Sequence, residues 1–155
     1  MSTKLTFERN ISIKNKRASF EYALLDHWTA GMVLTGTEIK SIRMGKVDLS
    51  DAFCFYDGTE LFVKDLFISP YEKGGNWLNH EGKRTRKLLL NRQELKKLSL
   101  KLKDVGLTII PTRLFINDRG VAKLDIALAK GKKLHDKRES LKEKDQLREV
   151  SRNFR

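Results

Sequence analysis

The sequence feature that most restricts the fold is the dipeptide Asp57-Gly58, which lies between two runs of β-branched and aromatic residues. Asp-Gly accepts the positive φ angles of a tight hairpin turn. The runs at 52–56 and 60–68 are therefore predicted to pair as an antiparallel β-hairpin. Other segments of the chain must be compatible with an antiparallel sheet that contains this hairpin.

Four further segments show the alternation or the bounding turns that are typical of β-strands. Ala30-Gly31 lies before the segment 32–34 and indicates a bend. Residues 117–120 (Asn-Asp-Arg-Gly) lie between the segments 107–116 and 121–129 and indicate a turn. The four segments are 18–25, 32–34, 107–116 and 121–129. In the last segment, alternate residues are predicted to face the core: Leu124, Ile126 and Leu128.

The segment 37–44 shows a helical period instead of alternation. Ile39 and Ile42 are three residues apart, and Gly45 follows at a position suited to a helix end. A short helix is therefore predicted there, with its isoleucines buried and a basic edge exposed.

A second helix is predicted to begin after Asn91. Asn91 can cap the helix, Glu94 three residues later completes a capping box, and Gly106 can end it. Its apolar stripe comprises Leu95, Leu98, Leu102 and Val105.

The order of these elements predicts a mainly β fold. Five or six strands with two or three short helices suit a small closed antiparallel β-barrel of the oligonucleotide-binding (OB) type, followed by a basic C-terminal tail. Residues 70–82 are rich in glycine and asparagine and are predicted to form a long surface loop.

The composition changes after Lys130, which divides the chain into a barrel domain, 1–130, and a tail, 131–155. Residues 130–155 contain ten Lys or Arg and five acidic residues, with few large apolar groups. Such a segment cannot bury enough apolar surface to fold alone, so we expect it to be disordered when free. Helical spacing of Leu147, Val150 and Phe154 predicts that it becomes helical when bound.

The net charge indicates a polyanionic partner. The chain has 32 Lys and Arg against 20 Asp and Glu, a formal charge of +12, and such a surface attracts nucleic acid or an anionic membrane. No apolar run suits a membrane span or a signal peptide, so a membrane partner is not expected. The single cysteine, Cys54, cannot form an intrachain disulfide, which favours a cytoplasmic location.

The residues that could support catalysis form no recognisable set. The histidines His27, His80 and His135 do not have the spacing of a metal site. Asp48 and Asp51 could hold a metal in a nuclease, but pairs of this kind more often cap helices or end strands. We therefore expect a protein that is not an enzyme and that has no metal or cofactor. A monomer is expected as well.

The basic clusters carry more information. The segment 83–87 (Lys-Arg-Thr-Arg-Lys) places four cations directly before three leucines, and like charges this close call for an anion, of which phosphate is the obvious one. The alternative is a solvated strand end. Glu38 lies beside a second cluster, Lys40, Arg43 and Lys46, and could pair with basic neighbours or accept hydrogen bonds from bases.

Several aromatic residues are predicted to lie in bends and loops, where a ring could stack on an unpaired base or cover the core: His27, Trp28, Tyr71 and Trp77. An RNA chaperone that binds many single strands through exposed aromatics is a rival interpretation. The sequence is expected to place its cations at rims and in the tail and to lack a trio of aromatics on its strands, which favours a folded RNA as partner.

Four motifs together resemble the family of small protein B, the SsrA-binding (tmRNA-binding) proteins of bacterial trans-translation. They are 15–17 (Asn-Lys-Arg), 36–43 (Gly-Thr-Glu-Ile-Lys-Ser-Ile-Arg), 84–90 (Arg-Thr-Arg-Lys-Leu-Leu-Leu) and 131–138, which contains Gly-Lys-Lys and Asp-Lys-Arg. They occur in order over nearly the whole chain. The family commonly has a proline before the Arg-Thr-Arg-Lys cluster, where this chain has Glu81-Gly82-Lys83.

The resemblance implies an adaptor that binds the tRNA-like domain of tmRNA and delivers it to ribosomes stalled on mRNA without a stop codon. It implies that the tail enters the empty mRNA path near the decoding centre. The tmRNA face would then comprise Asn15, Lys16, Arg17, Glu38, Lys40, Arg43, Arg84, Arg86 and Lys87. The ribosome-binding tail would comprise Gly131, Lys132, Lys133, His135, Asp136, Lys137 and Arg138.

Overall fold

The computed structural model describes residues 11–74, 79–104 and 106–132, and within them the chain is mainly β. The helices are α1 (Lys16–Glu21), α2 (Gly36–Arg43) and α3 (Arg92–Lys101), and a 3₁₀ turn covers Glu72–Gly74. The strands are β1 (Ser12–Lys14), β2 (Tyr22–Met32), β3 (Val47–Asp48), β4 (Phe53–Asp57), β5 (Glu60–Lys64), β6 (Phe67–Ile68), β7 (Arg86–Leu89), β8 (Leu107–Ile116) and β9 (Ala122–Gly131).

Seven strands form one antiparallel sheet in the order β1-β8-β4-β5-β7-β2-β9, and β8 also pairs with β9. The pairings therefore run from β4 through β5, β7, β2 and β9 to β8, which contacts β4 again where Cys54 faces Ile109. The short strands β3 and β6 pair separately.

The predicted hairpin is confirmed as β4 and β5. Asp57 pairs with Glu60, and Gly58 has a φ of +64°, the left-handed conformation that the turn requires. The second strand of the hairpin, predicted at 60–68, is shorter than expected. Asp65 takes a φ of 59° and separates β5 from β6.

The core lies on the inner side of the sheet and is closed by α2 and α3. The predicted inward residues Leu124, Ile126 and Leu128 are all buried, and Ile42 of α2 and Leu98 of α3 join them. Full burial of a Leu or Ile side chain stabilises the fold by about 1.5–3 kcal/mol, so this cluster dominates the stability.

Both predicted helices are confirmed, but α2 spans Gly36–Arg43 rather than 37–44, and α3 ends at Lys101, before the predicted end at Gly106. In α3, Asn91 and Glu94 form a reciprocal capping box, and in α2 Thr35 and Glu38 form another. Gly45 directly follows the C-cap of α2 and has a positive φ, as expected for a residue that ends a helix. Gly106 also has a positive φ but lies five residues beyond Lys101 and does not end α3. Val105 of the predicted stripe lies outside the described residues.

The prediction for 18–25 and for the bend at Ala30-Gly31 is wrong in part. Residues 18–21 belong to α1, and β2 runs without a bend through Ala30 and Gly31 to Met32, with one register shift between Leu24 and His27. The part of the predicted strand from Tyr22 to Leu25 is confirmed. The strand predicted at 32–34 is wrong, because Met32 is the last residue of β2 and residues 33–34 are not in a strand. Helix α1 covers a small second apolar cluster on the outer side of the sheet, formed by Ala18, Ile110 and Ala129.

The last described strand extends into the segment that the composition assigns to the tail. Gly131 pairs with Tyr22 at the end of β9, and the backbone N–H of Lys132 donates to the carbonyl of Glu21 at 2.9 Å. The Lys132 ammonium donates to the carbonyl of Ser19, also at 2.9 Å. The remaining tail residues named above, 133, 135–138, 147, 150 and 154, lie outside the described residues, and so does the helix predicted from them.

Candidate RNA-binding site

The centre of the candidate site is the carboxylate of Glu38, which α2 holds in the interior with no exposed surface. Its Oε1 accepts hydrogen bonds from the guanidinium of Arg84 at 2.6 Å and from the backbone N–H of Thr35 at 2.9 Å. Its Oε2 accepts from Nε of Arg86, which is also fully buried. The arginines of the 83–87 cluster therefore obtain their anion from within the chain.

Arg86 connects three segments of backbone. Its guanidinium donates to the carbonyl of Leu66 at 2.6 Å and to those of Gly82 and Glu81 at 3.1 Å and 3.4 Å. Together with Glu38 these contacts use all of its nitrogens. Neither Glu38 nor Arg86 reaches the surface that we expected them to form, because the charge of each is neutralised inside the fold.

The ionisation of Glu38 reflects this environment. Burial by itself would raise the pKa of the carboxyl, since it disfavours the charged form. The hydrogen bonds from Arg84, Thr35 and Arg86 outweigh burial, so the pKa of Glu38 lies below its ordinary value and the group is ionised at neutral pH.

Gly82 lies in the segment 81–83, where the sequence departs from the proline that the resemblance implies. A Cβ at this position would lie 2.6 Å from Cε2 of Phe67, so any larger residue requires that ring to move. The Gly82 carbonyl accepts from the N–H of Ile68 at 2.9 Å as well as from Arg86. The loop is thus held against β6 by backbone contacts.

The solvent-facing cations of the predicted site lie around this buried centre. Arg84 keeps 36% of its side chain exposed. Lys87 points outward from β7, where its ammonium lies 2.9 Å from the carboxylate of Glu60. Lys40 is exposed on α2 and its ammonium lies 5.3 Å from the ring centre of Tyr71, a cation–π contact. Arg43 is half-exposed at the end of the same helix.

Asn15 is an internal connector rather than a free surface amide. Its Nδ2 donates to the carbonyls of Leu49 at 3.1 Å and Pro111 at 2.9 Å, and its Oδ1 accepts from the N–H of Ala18 as the cap of α1. This places Lys16 and Arg17, both exposed, beside the 48–50 turn. A groove of about 470 Å³ lies between α1 and that turn.

We expect Asn15→Asp to lower the free energy of unfolding by about 1–3 kcal/mol, because the carboxylate can still cap α1 but cannot donate to the two carbonyls. Urea denaturation measures this change. Ser19→Ala, which removes a solvent-exposed hydroxyl from the same helix, is the control and should change stability by less than about 0.5 kcal/mol. Equal stability of Asn15→Asp and the parent would show that these contacts contribute nothing.

The aromatic and histidine predictions have mixed outcomes. Trp28 lies in β2 rather than in a bend and packs against the core, and His27 is exposed on the same strand. Tyr71 is buried in the loop. His80 is also buried, with Nε2 2.9 Å from the carbonyl of Ile68 and Nδ1 2.9 Å from the Thr37 hydroxyl. Trp77 lies outside the described residues.

The acidic pair is held by ordinary structural contacts. Asp48 accepts hydrogen bonds from the hydroxyl and the N–H of Ser50, which lower its pKa, and Asp51 pairs with Arg17 at 3.3 Å. Within 11–74, 79–104 and 106–132, no group of three or more His, Cys, Asp or Glu side chains could hold a metal ion. No helix in that part of the chain is long and apolar enough to cross a membrane.

The strands do carry an aromatic trio, contrary to expectation. Phe53 and Phe55 alternate on the outer side of β4, and Phe62 lies opposite Phe55 on β5. The signal is present in the sequence as alternation across the Asp57-Gly58 turn. Because the intervening residues are also apolar, the alternation alone does not identify the outer face.

Comparisons with known proteins match this chain to one protein family and to similar relatives. A model of the SmpB protein family matches residues 12–155. SsrA-binding protein of Bacteroides thetaiotaomicron is 56% identical over 146 residues, which cover 94% of this chain and 97% of the relative. SsrA-binding protein of Cytophaga hutchinsonii is 57% identical over 152 residues, which cover 98% of each.

A solved structure shows the same fold. A chain from work described as "tmRNA-SmpB: a journey to the center of the bacterial ribosome" superposes with a TM-score of 0.68 at 43% identity. The match covers 80% of this chain and 86% of that one.

Proposed function

Because this chain belongs to the SmpB protein family, we propose that it is a tmRNA-binding adaptor of trans-translation. It binds the tRNA-like domain of tmRNA and delivers it to ribosomes stalled on mRNA that lacks a stop codon. The observation that carries this proposal is the agreement of the SsrA-binding relatives with the tmRNA–SmpB structural neighbour over most of the chain. The role is that of an RNA-binding adaptor rather than an enzyme.

We infer that the domain is a closed barrel of the OB type. The support is the sequence of antiparallel pairings that leaves β4 through β5 and returns to it from β8. Closure of this kind removes exposed sheet edges, which is how small OB domains avoid edge-to-edge association. A domain without exposed sheet edges agrees with a protein that acts as a monomer.

The candidate RNA-binding residues divide by what their side chains contact. The surface cations are proposed to bind phosphates: Lys16, Arg17, Lys40, Arg43, Arg84 and Lys87. Asn15, Glu38 and Arg86 are proposed to position those cations, since their own polar atoms are bound to the protein.

The tail is proposed to contact the ribosome and to enter the empty mRNA path near the decoding centre. The cations from Lys132 onward suit phosphate contacts, and His135 suits stacking on a base. Both partners are cytoplasmic in bacteria, so the protein is proposed to act in the cytoplasm without metal or cofactor.

We expect the affinity for tmRNA to fall steeply with salt, because each phosphate contact releases a counterion. Lys16→Ala with Lys40→Ala should lower the slope of log K against log salt by about two. Filter binding or anisotropy between low and moderate salt measures the slope. Lys97→Ala with Lys103→Ala changes the charge equally at exposed positions on and after α3 and is the control. Equal slopes for both double variants would assign the effect to net charge and not to this site.

Failure of the parent protein to prefer tmRNA over an unrelated tRNA-sized RNA would contradict the proposed function itself. That comparison does not depend on which cations make the contacts.

A further inference from the structure

The outer face of the β4–β5 hairpin carries three adjacent phenylalanine rings. The ring centres of Phe53 and Phe55 are 6.3 Å apart with planes inclined by 45°. Those of Phe55 and Phe62 are 5.9 Å apart and inclined by 26°, a stacked arrangement across the two strands. We call Phe53, Phe55 and Phe62 the phenylalanine platform.

The platform is not part of the core. The residues between its members, Cys54, Leu61 and Val63, point to the other side and are buried there. Phe53 is 38% exposed, and Phe55 and Phe62 are partly exposed. A row of three rings on the solvent side of a sheet whose inner side is already filled indicates a binding surface, whereas a single exposed apolar residue would need no explanation.

Cations flank the rings in register. Lys64 lies opposite Phe53 on β5, and Lys87 of β7 lies opposite Phe62. Lys64 is exposed and forms no ion pair with any described residue, whereas Lys87 is paired with Glu60 in an exposed bridge that costs little to break. Alternating rings and ammonium groups match a strand of nucleic acid, which presents bases and phosphates in alternation.

A cleft continues the platform beyond Phe53. It has a volume of about 320 Å³ and is lined by Arg17, Tyr22, Phe53 and Thr108, among others. This is at the lower end of the volumes of small-ligand pockets, so it suits one flat ring with polar groups at its edge. Stacking positions on the platform and an end pocket in the cleft would together accommodate several unpaired nucleotides.

We propose that the phenylalanine platform binds unpaired RNA, with bases stacked on Phe53, Phe55 and Phe62 and phosphates bound by Lys64 and Lys87. Strand-borne aromatics beside cations are the means by which small β domains bind single strands without reading their sequence. The chain's +12 charge and the two flanking lysines favour RNA over a protein partner.

The platform faces away from the Glu38 carboxylate, and Lys87 belongs both to the proposed tmRNA face and to the platform. Lys87 and Arg86 are neighbours on β7 but point to opposite sides of the sheet, Arg86 to the buried carboxylate and Lys87 to the platform. This inference rests on the proposed function in one respect, the source of the RNA, which is either tmRNA or ribosomal RNA.

The first test compares binding of a 12-nucleotide oligouridine and of a fully paired RNA hairpin by fluorescence anisotropy. Phe53→Leu with Phe55→Leu keeps apolar side chains at both positions but removes both stacking rings, and should weaken oligouridine binding about 5-fold or more per stacked base. Phe53→Tyr with Phe55→Tyr retains the rings and should bind within about 2-fold of the parent. Binding of the paired hairpin should be the same for all three proteins.

Equal affinity of the Leu and Tyr variants for oligouridine would overturn the proposal. Thermal melting checks the fold of each variant. If the double Leu variant is unfolded, Phe53→Leu alone, at the most exposed ring, provides the same comparison with Phe53→Tyr.

The second test identifies the source. Phe53→p-benzoylphenylalanine is photolysed with tmRNA alone and then with tmRNA and stalled ribosomes. A crosslink to an unpaired nucleotide of tmRNA in both mixtures, or to ribosomal RNA only in the second, supports the proposal and assigns the strand. Crosslinks to protein alone would overturn it. The tmRNA preference of the parent protein is measured separately, so a failure here is distinguishable from a failure of the proposed function.

Discussion

Glu38→Gln is expected to lower the free energy of unfolding by about 3–5 kcal/mol, the largest stability loss that we predict for a single substitution. The amide keeps the size of the carboxylate but leaves the guanidinium of Arg86 buried without a counter-charge. Arg84 loses its partner as well, though its partial exposure allows water to compensate. Denaturant unfolding followed by circular dichroism measures the change.

Glu60→Gln is the matched control, because it makes the same substitution at an exposed ion pair. The bridge from Glu60 to Lys87 is 2.9 Å long, yet both side chains are at least 39% exposed. Exposed pairs contribute about 0–1 kcal/mol, so this variant should be nearly as stable as the parent. Similar losses of unfolding free energy in Glu38→Gln and Glu60→Gln would show that the burial of Glu38 does not add to its contribution to stability.

Removing both charges should recover much of the loss. In Glu38→Gln with Arg86→Met, no buried charge remains, and replacement of a buried ion pair by apolar groups is often neutral or stabilising. The recovery will be incomplete, since Arg86 also binds the carbonyls of Leu66 and Gly82. The matching measurement is Arg86→Met in the parent. If Arg86→Met lowers the unfolding free energy of Glu38→Gln as much as it lowers that of the parent, the two side chains act independently.

The pH dependence of this pair has a definite sign. The folded pKa of Glu38 lies below the ordinary value of 4.5, so folding favours the ionised carboxylate. Its contribution is fully present above about pH 4.5 and is lost as the pH falls through the folded pKa. The stability difference between the parent and Glu38→Gln should therefore shrink below that pH, and a difference that grew on acidification would contradict the ionised pair.

Elements specified by local chemistry could be predicted from the sequence. The Asp57-Gly58 turn, the two capping boxes and the alternation in β9 each depend on residues a few positions apart. Helix α1 could not, because its cap, Asn15, is held by carbonyls 34 and 96 residues away. Six residues in a helix are too few to be stable without such contacts.

The candidate site could be predicted by residue type but not by geometry. Glu38 meets Arg84 and Arg86 across 46 and 48 residues of chain, a separation over which no sequence period carries information. The outward direction of Lys87 and the inward direction of Arg86 depend on the register of β7 with β5. Apolar residues on both faces of β4 likewise leave the orientation of the phenylalanine platform open in the sequence.

The tail gives the largest expected functional effect. A chain that ends at Lys132 keeps β9, the Gly131 pairing with Tyr22 and both Lys132 hydrogen bonds. We expect its unfolding free energy to stay within about 0.5 kcal/mol of the parent and its tmRNA affinity within a few-fold. A chain that ends at Ala129 loses these contacts and is the control for damage to the domain.

The protein that ends at Lys132 should nevertheless fail to support peptide tagging on stalled ribosomes, because it lacks Lys133, His135 and the 136–138 motif that we propose to contact ribosomal RNA. An in vitro tagging reaction with ribosomes stalled at the end of an mRNA measures this. Lys144→Pro in the full chain tests the bound helix: proline costs about 3 kcal/mol inside a helix and little in an unstructured chain, and Lys144→Ala removes the same charge without that cost. Tagging should fall with proline and persist with alanine. Full tagging by the shortened chain would refute the tail mechanism, and loss of tmRNA binding with an intact fold would assign the tail to the RNA-binding surface.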